Sequence, residues 1–156
     1  AALVELELGA IRIAGRRPEA LAEGLADWAP WSSAIGGLAW PEGPGALAAE
    51  LDAADLVVHT TPVGMAAAGD GIAAARCPLA ASDLEALRPA TVVYDLIYTP
   101  RPTRLLEHAA ALGCPVIDGL EMLVGQGAAA LRLWSGQAEV PVAVMRRAAL
   151  AQLEAA

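Results

Sequence analysis

The stretch Asp55-Leu56-Val57-Val58-His59-Thr60 is a short apolar run between polar residues. Such a run, bounded by turn-forming residues, predicts a strand that is buried on both faces. Residues 91–95 (TVVYD) repeat the pattern. Buried strands that alternate with helices are typical of a parallel sheet covered on both sides. With right-handed crossovers, they predict an α/β fold with a Rossmann-like, doubly wound parallel sheet and C-terminal helices.

The other elements follow from periodicity and from helix start and stop signals on either side of these strands. Before residue 55 we expect a strand over 10–14, a helix from Pro18 to about residue 27, a short strand near 33–35 and a helix over 45–51. Segment 66–71 (AAAGDG) predicts a flexible loop. After residue 95 we expect a helix over 103–112, a short strand over 115–117, and two final helices over 119–134 and 142–153.

The first eight residues have the pattern of a helix interior. Apolar residues stand at 3, 4, 6 and 8, no capping residue precedes them, and Gly9 supplies a helix stop. We therefore expect further sequence upstream of Ala1, including a first strand and the turn that follows it.

Composition and charge limit the kinds of partner. The chain has 156 residues, of which 56% are hydrophobic, enough for a compact core. Its net charge of −8 disfavours nucleic acid, because a duplex binder needs a basic face. Cys77 and Cys114 have neither CxxC spacing nor clustered histidines, so we expect free thiols and no metal site. No stretch approaches the roughly 18 apolar residues of a membrane helix, and we expect a cytoplasmic protein with no membrane contact.

The end of the first predicted strand carries Gly15, Arg16 and Arg17, with no acidic residue before Glu19. In a dinucleotide-binding sheet the end of the second strand selects the cofactor, and this strand would be the second because we expect another one upstream. An acid there holds the ribose of NAD, whereas an arginine accommodates the 2′-phosphate of NADP. From these residues alone, an ordinary solvated arginine pair explains the pattern equally well. The glycine-rich phosphate turn cannot be assigned, because Gly36-Gly37 and Gly43-x-Gly45 fall in a predicted loop with unsuitable flanks.

Five sequence blocks occur in the order and spacing of one family. The chain resembles the shikimate dehydrogenase family, whose motifs N-x-T-P-x-G-M, Y-D-x-x-Y-x-P, T-x-L-L, D-G-x-x-M-L-x-x-Q and W-x-G are similar to residues 59–65, 94–100, 103–106, 118–126 and 134–136. Any single block could arise by chance, but the ordered set covers nearly the whole chain.

The resemblance implies reversible hydride transfer between NADP(H) and the shikimate/3-dehydroshikimate pair, in the biosynthesis of chorismate and aromatic amino acids. It implies that Arg16 binds the 2′-phosphate, with Gly15 and Arg17 around the adenosine ribose. Further cofactor contacts are implied for Thr61 along the dinucleotide, for Leu96 and Gly119 at the nicotinamide end, and for Met122 against the ring. Tyr98 and Gln126 would reach the carboxylate and hydroxyls of the substrate.

Helical geometry is compatible with part of this assignment. At about 100° per residue, Gly119, Met122 and Gln126 fall on one face of the predicted helix. In a lone helix, Met122 would be ordinary core and Gln126 ordinary surface. The matched spacing, with Tyr98 in the preceding motif, favours a binding site.

Three residues depart from the family pattern, and a fourth leaves a choice open. Gly15 and Arg17 replace an asparagine and a threonine beside the family's arginine. His59 stands where the family has asparagine, and we interpret it as a tolerated neighbour of the site rather than a catalytic base. Asp95, at a strand end, is either functional by position or holds the Tyr98 loop through backbone hydrogen bonds.

The family's proton-transfer lysine and aspartate belong to an N-terminal domain, and this chain contains no lysine. We therefore expect no catalytic residue in these 156 residues and no activity from them alone. Residues 1–118 would form the NADP-binding domain, and 119–156 would line the cleft and pack toward that N-terminal domain. Alternatives are an NAD-dependent quinate/shikimate paralogue, a non-catalytic nucleotide-binding or interaction domain, and a Rossmann relative acting on tRNA or folate, which would leave 118–126 unexplained. The sequence leaves a homodimer open.

Overall fold

The computed structural model describes residues 9–40, 43–66 and 71–154. The chain divides into two compact units, Ala1–Ala46 and Leu47–Ala156, which are described separately below. The helix predicted over 1–8 and most of the loop predicted over 66–71 lie outside the described residues.

The first unit contains two parallel strands joined by a helix. They are β1 (Ile11–Gly15), α1 (Pro18–Trp28) and β2 (Ile35–Ala39). The strands pair in register from Ile11 opposite Ile35 to Gly15 opposite Ala39. Pro18 suits the first turn of α1 because its missing amide hydrogen would have no partner there.

The predicted strand near 33–35 was placed too early, and Gly36-Gly37 lie in β2 rather than in a loop. The Ser32 hydroxyl accepts a hydrogen bond from the Ala34 amide at 3.1 Å, so the chain is still turning at that point. The two glycines have a packing role instead. Leu21 and Leu25 of α1 lie so close to Gly37 that a Cβ there would collide with the Leu25 side chain.

The second unit contains a three-stranded parallel sheet in the order β3-β4-β5. Its elements, in chain order, are α2 (Ala48–Ala53), β3 (Leu56–His59), α3 (Gly71–Ala74), α4 (Ala81–Leu84), β4 (Val92–Asp95), α5 (Arg104–Ala111), β5 (Val116–Ile117), α6 (Leu120–Ser135) and α7 (Val142–Glu154). Parallel strands alternate with helices in both units, so the predicted α/β class is confirmed.

The core of the second unit lies around the central strand β4. Val93 is fully buried, and with it are buried aliphatic residues of the flanking helices: Leu84, Leu105, Leu106, Ala109, Leu120, Val124 and Ala128. Thr103 caps α5, because its hydroxyl accepts a hydrogen bond from the Leu106 amide. Gly113, at φ +85°, turns the chain after α5 toward β5, as its position in the sequence predicted.

Helix α7 packs against α6. Met145 of α7 reaches the surface of α6 at Gly127, and Arg146 forms an ion pair with Glu121. The apolar side of α7 thus has a partner in α6. Val144 nevertheless stays half exposed. Among residues 9–40, 43–66 and 71–154, no helix is both long and apolar enough to cross a membrane.

The start of α6 touches the loop that follows β4. The Gly119 amide donates a hydrogen bond to the Ile97 carbonyl at 3.0 Å. A Cβ on Gly119 would overlap the Leu96 carbonyl oxygen. This close approach of two backbone segments requires glycine at position 119.

We expect Gly119→Ala to lower the free energy of unfolding by about 1–3 kcal/mol, the usual cost of overpacking a tight contact. The matched control is Gly125→Ala on the same helix, where a Cβ meets no atom within 4 Å. Because alanine favours helix more than glycine does, that variant should gain about 0.5–1 kcal/mol. Urea unfolding followed by tryptophan fluorescence measures both. Equal effects of the two changes would contradict the close contact.

Candidate functional site

A groove of about 450 Å³ lies at the carboxyl ends of β3 and β4. Its walls are the loops that follow the two strands: Thr60, Thr61, Pro62, Met65 and Ala66 on one side, and Leu96, Ile97, Tyr98 and Thr99 on the other. Ligands of open α/β sheets bind outside the carboxyl ends of the strands. The position and size of the groove are therefore those of a small-molecule site.

Two backbone features shape the loop that follows β3. Gly64 has φ +95°, and a Cβ there would lie 2.8 Å from the Arg76 carbonyl oxygen, so glycine is needed for both reasons. The Ala66 amide donates a hydrogen bond to the Thr99 carbonyl at 2.9 Å. The two walls of the groove are thus tied together at one end.

Beneath the groove lies the carboxylate of Asp95, which is fully buried. Its Oδ1 accepts hydrogen bonds from the Ile97 amide and from Nδ1 of His59, both at 3.0 Å. Its Oδ2 accepts one from the Thr103 hydroxyl at 2.7 Å. Burial raises the pKa of this carboxyl, but the hydrogen bonds from His59, Thr103 and Ile97 outweigh it and hold the pKa below its usual value.

His59 links the hydrogen bonds of Asp95 to the groove. The side chain is 7% exposed, and its Nε2 lies 2.5 Å from the hydroxyl of Thr61, which lines the groove. The Thr61 oxygen also accepts a hydrogen bond from the Val63 amide at 3.3 Å. Of the two alternatives for Asp95, the structure shows the backbone hydrogen bond at the start of the Tyr98 loop.

The residues singled out from the sequence are partly assembled. Thr61, Leu96 and Tyr98 line the groove together. Gly119 lies directly behind, against the backbone of Leu96. Met122, half-buried, and Gln126, exposed, lie on α6 and are not among the groove-lining residues.

Gly15, Arg16 and Arg17 belong to the first unit, at the end of β1. The Gly15 carbonyl accepts a hydrogen bond from the Trp40 amide at 3.1 Å, and both arginines are exposed. Arg17 occupies the N-cap position of α1 with an extended backbone. Two guanidinium groups beside a helix N-terminus are well suited to an anion such as a phosphate.

The sequence motifs did not indicate a role for several groove-lining residues, among them Pro62, Met65 and Thr99. It also did not anticipate the ion pair between Arg101 and Asp118 at 2.6 Å, which ties the loop after β4 to the start of α6. A signal was available, because these residues lie in or beside the quoted motifs. Their spacing did not reveal which side chains face the groove.

Parallel strands alternating with helices, with a groove at the carboxyl ends of the strands, define a Rossmann-like α/β protein. A family model, the C-terminal domain of shikimate 5′-dehydrogenase, matches residues 119–150. The NADP(+)-dependent shikimate dehydrogenase of Synechococcus sp. (strain JA-2-3B'a(2-13)) is 47% identical over 150 residues, which are 96% of this chain and 49% of that protein. The Synechocystis enzyme of the same name is 45% identical over 154 residues, 97% of this chain and 50% of that protein.

Solved structures of similar enzymes superpose on nearly the whole chain. Quinate dehydrogenase from Corynebacterium glutamicum in complex with NAD superposes with a TM-score of 0.74 at 32% identity, over 96% of this chain and 49% of that one. Shikimate dehydrogenase of Mycobacterium tuberculosis superposes with a TM-score of 0.72 at 28% identity, over 96% of this chain and 50% of that one. Over nearly its whole length the chain is similar to shikimate dehydrogenases, as the ordered motifs predicted. It spans about half the length of the curated relatives it matches.

We expect Asp95→Asn to lower the free energy of unfolding at neutral pH by about 1.5–3 kcal/mol, the usual value of hydrogen bonds to a charged group. Because folding lowers the Asp95 pKa, the ionised carboxylate stabilises the fold above about pH 4. That contribution disappears as the pH falls through the lowered folded-state pKa. As the pH falls below about 4, the free energy of unfolding should therefore decrease less in the variant than in the parent chain.

Asp55→Asn is the matched control, since the Asp55 side chain is 99% exposed. It should change stability by less than about 0.5 kcal/mol at neutral pH. Urea unfolding between pH 2 and 7 measures the effect. A steeper loss of stability in acid for Asp95→Asn than for the parent would contradict the assigned direction.

Proposed function

We propose that this chain is the NADP-binding part of a shikimate dehydrogenase, which interconverts 3-dehydroshikimate and shikimate in the biosynthesis of chorismate and aromatic amino acids. The observation that carries the proposal is the groove where Thr61, Leu96 and Tyr98 meet, three residues of the family's motifs. The printed function of relatives 45–47% identical over nearly the whole chain supports it.

In this proposal the groove and its surroundings would hold the reacting end of the cofactor, which would supply a hydride as NADPH or accept one as NADP⁺. Thr61 lies along the dinucleotide, while Leu96 and Gly119 contact the nicotinamide end. Met122 packs near the ring. The lining of the groove fits such a group, since apolar side chains lie there beside three threonine hydroxyls and one tyrosine.

Tyr98 and Gln126 are the proposed substrate ligands. Tyr98 lines the groove and is partly exposed, so its hydroxyl is available to a carboxylate or hydroxyl group. Gln126 is exposed on α6 and offers both a donor and an acceptor. The proton-transfer residues are proposed to lie in the part of the relatives that this chain does not span.

Arg16, with Gly15 and Arg17 beside it, is the proposed site for the 2′-phosphate that distinguishes NADP from NAD. Both guanidinium groups are exposed, and no acid stands at this strand end to hold an unmodified ribose. One solved neighbour, the quinate dehydrogenase, is in complex with NAD, which makes an NAD-dependent quinate/shikimate paralogue the second candidate. The paired arginines favour NADP.

In the natural full-length protein, we expect Arg16→Ala to raise the KM for NADP by roughly ten- to hundredfold, since a charge-assisted hydrogen bond contributes about 1.5–3 kcal/mol. The KM for NAD should change little, because NAD lacks the 2′-phosphate. Arg147→Ala on α7 removes an equally exposed guanidinium and should affect neither cofactor. Equal losses with NADP and NAD in steady-state kinetics would exclude Arg16 as the phosphate ligand.

We further propose that residues 1–118 form the cofactor-binding domain and that 119–156 face both halves of the cleft. Leu133 and Trp134 on α6 are more than 80% exposed, and Val144 on α7 is half exposed. Large apolar side chains gathered on neighbouring helices are typical of a covered surface. The proposed cover is the half of the relatives' length that this chain does not span.

Hydrogen exchange tests this division. In the 156-residue chain alone, amides after about Gly136 should exchange faster than those of β3 and β4, because the contacts of α7 are mainly with α6. In the natural full-length protein they should be protected. Equal protection of Val142–Glu154 in both, with the short chain monomeric, would contradict the proposed packing.

The proposal extends to a cytoplasmic location and to a homodimer. Cys77 and Cys114 are both free thiols, which suits a reducing compartment. Sedimentation of the full-length protein would test whether it forms a homodimer.

A further inference from the structure

His59 bridges a buried charge and an exposed hydroxyl. Its Nδ1 faces the fully buried Asp95 carboxylate, and its Nε2 faces the Thr61 hydroxyl on the groove. The family motif has asparagine at this position, whose amide is too short to occupy both nitrogen positions of an imidazole ring. The bridge is therefore a property of this chain's histidine.

The donors and acceptors can be assigned completely for the neutral imidazole. An ionised carboxylate only accepts hydrogen bonds, so Nδ1 must carry the proton and donate it to Asp95. Nε2 is then an acceptor, and the Thr61 hydroxyl must donate its hydrogen to it. One lone pair of Thr61 is taken by the Val63 amide, which leaves one lone pair for a ligand. Neutral His59 makes Thr61 an acceptor toward the groove.

Protonation reverses this assignment. In the imidazolium form both nitrogens donate, so Nε2 donates to Thr61. The two lone pairs of Thr61 are then occupied by His59 and by the Val63 amide. The hydroxyl hydrogen is released to point into the groove. Protonated His59 makes Thr61 a donor.

We propose that His59 is a positioning residue that sets whether the Thr61 hydroxyl donates to or accepts from the ligand in the groove. The neutral form selects a ligand group that donates, such as a carboxamide, and the protonated form selects one that accepts, such as a carboxylate. The inference rests on the proposed function, because it takes the carboxamide of the nicotinamide ring, proposed to lie at Leu96, to reach along the groove to the Thr61 hydroxyl. Both residues line this one groove.

At its end of the bridge, Asp95 remains a hydrogen-bond acceptor. Asp95 stays ionised above its lowered pKa, so its role as an acceptor does not change near neutral pH. The Cys77 thiol lies close enough to Asp95 to be influenced by its charge, and Arg104 of α5 lies near Cys77. Burial raises the pKa of the Cys77 thiol, a hydrogen bond with Leu79 and the charge of Arg104 lower it, and the Asp95 charge raises it.

The tautomer can be measured without a ligand. Nitrogen-15 NMR of the full-length protein should show His59, in its neutral form, with the proton on Nδ1. A proton on Nε2 would overturn the proposal, because Thr61 would then be a donor already in the neutral state. His108, the other histidine of the chain, lies exposed on α5 and provides the internal reference.

The consequence for binding is tested with two probes that differ at one group, NADP⁺ and its nicotinic acid analogue, in which a carboxylate replaces the carboxamide. As the pH falls from about 8.5 to 5.5, through the range in which histidines titrate, the affinity for the analogue relative to NADP⁺ should rise about tenfold, as one hydrogen bond is exchanged. The midpoint should coincide with the His59 titration seen by NMR.

Three variants separate the explanations. His59→Asn and His59→Gln remove the titration while keeping an amide in the network, and the affinity ratio should become independent of pH in both. Thr61→Val keeps the titrating imidazole but removes the hydroxyl, and the ratio should again be flat. A pH-dependent ratio that persists in Thr61→Val would overturn the proposal, because the charge of His59 alone would then explain it.

The two levels of proposal fail differently. Absence of NADP⁺ binding at every pH would contradict the proposed function, and the tautomer would still decide for or against the polarity of Thr61. Binding of NADP⁺ with a constant ratio in the parent protein would overturn the role of His59 and leave the proposed function intact.

Discussion

A buried carboxylate cannot remain charged without donors around it, and Asp95 obtains them from three different segments of the chain. The Ile97 amide comes from the loop after β4, His59 from the end of β3, and the Thr103 hydroxyl from the residue that caps α5. Placing the charge in the core therefore brings together the end of one strand, the start of a helix and the loop of the next strand. The groove lies directly above this meeting point.

The rest of the site depends on how closely these segments approach. Gly119 lets the start of α6 lie against the Leu96 carbonyl, and the ion pair of Arg101 with Asp118 holds the same two segments together farther out. Thr103 serves twice, since its hydroxyl donates to Asp95 and accepts from the Leu106 amide at the helix start. Small residues and short polar side chains thus place the loops more than large apolar ones do.

The strands and long helices could be predicted from the sequence because each has a periodic or continuous apolar pattern. β3, β4, α5 and α6 lie within about two residues of the predicted bounds. α3 and α4 were missed, because helices of four residues are too short to show a period. β2 was misplaced because its two glycines mimic a loop. Thr61, Leu96 and Tyr98, which the motifs singled out, line one groove, whereas the bridge through His59 depends on a strand register that local patterns do not encode. The roles of all the proposed site residues stay predictions.

The hydrogen bond between the Ala66 amide and the Thr99 carbonyl has a mechanical consequence. It joins the ends of both loops that form the groove, and the shared Asp95 network joins them at the base. Loops that are linked at both ends act as one unit rather than moving independently. A molecule bound in the groove would then meet the two loops as one wall, and a shift of one loop would displace the other as well.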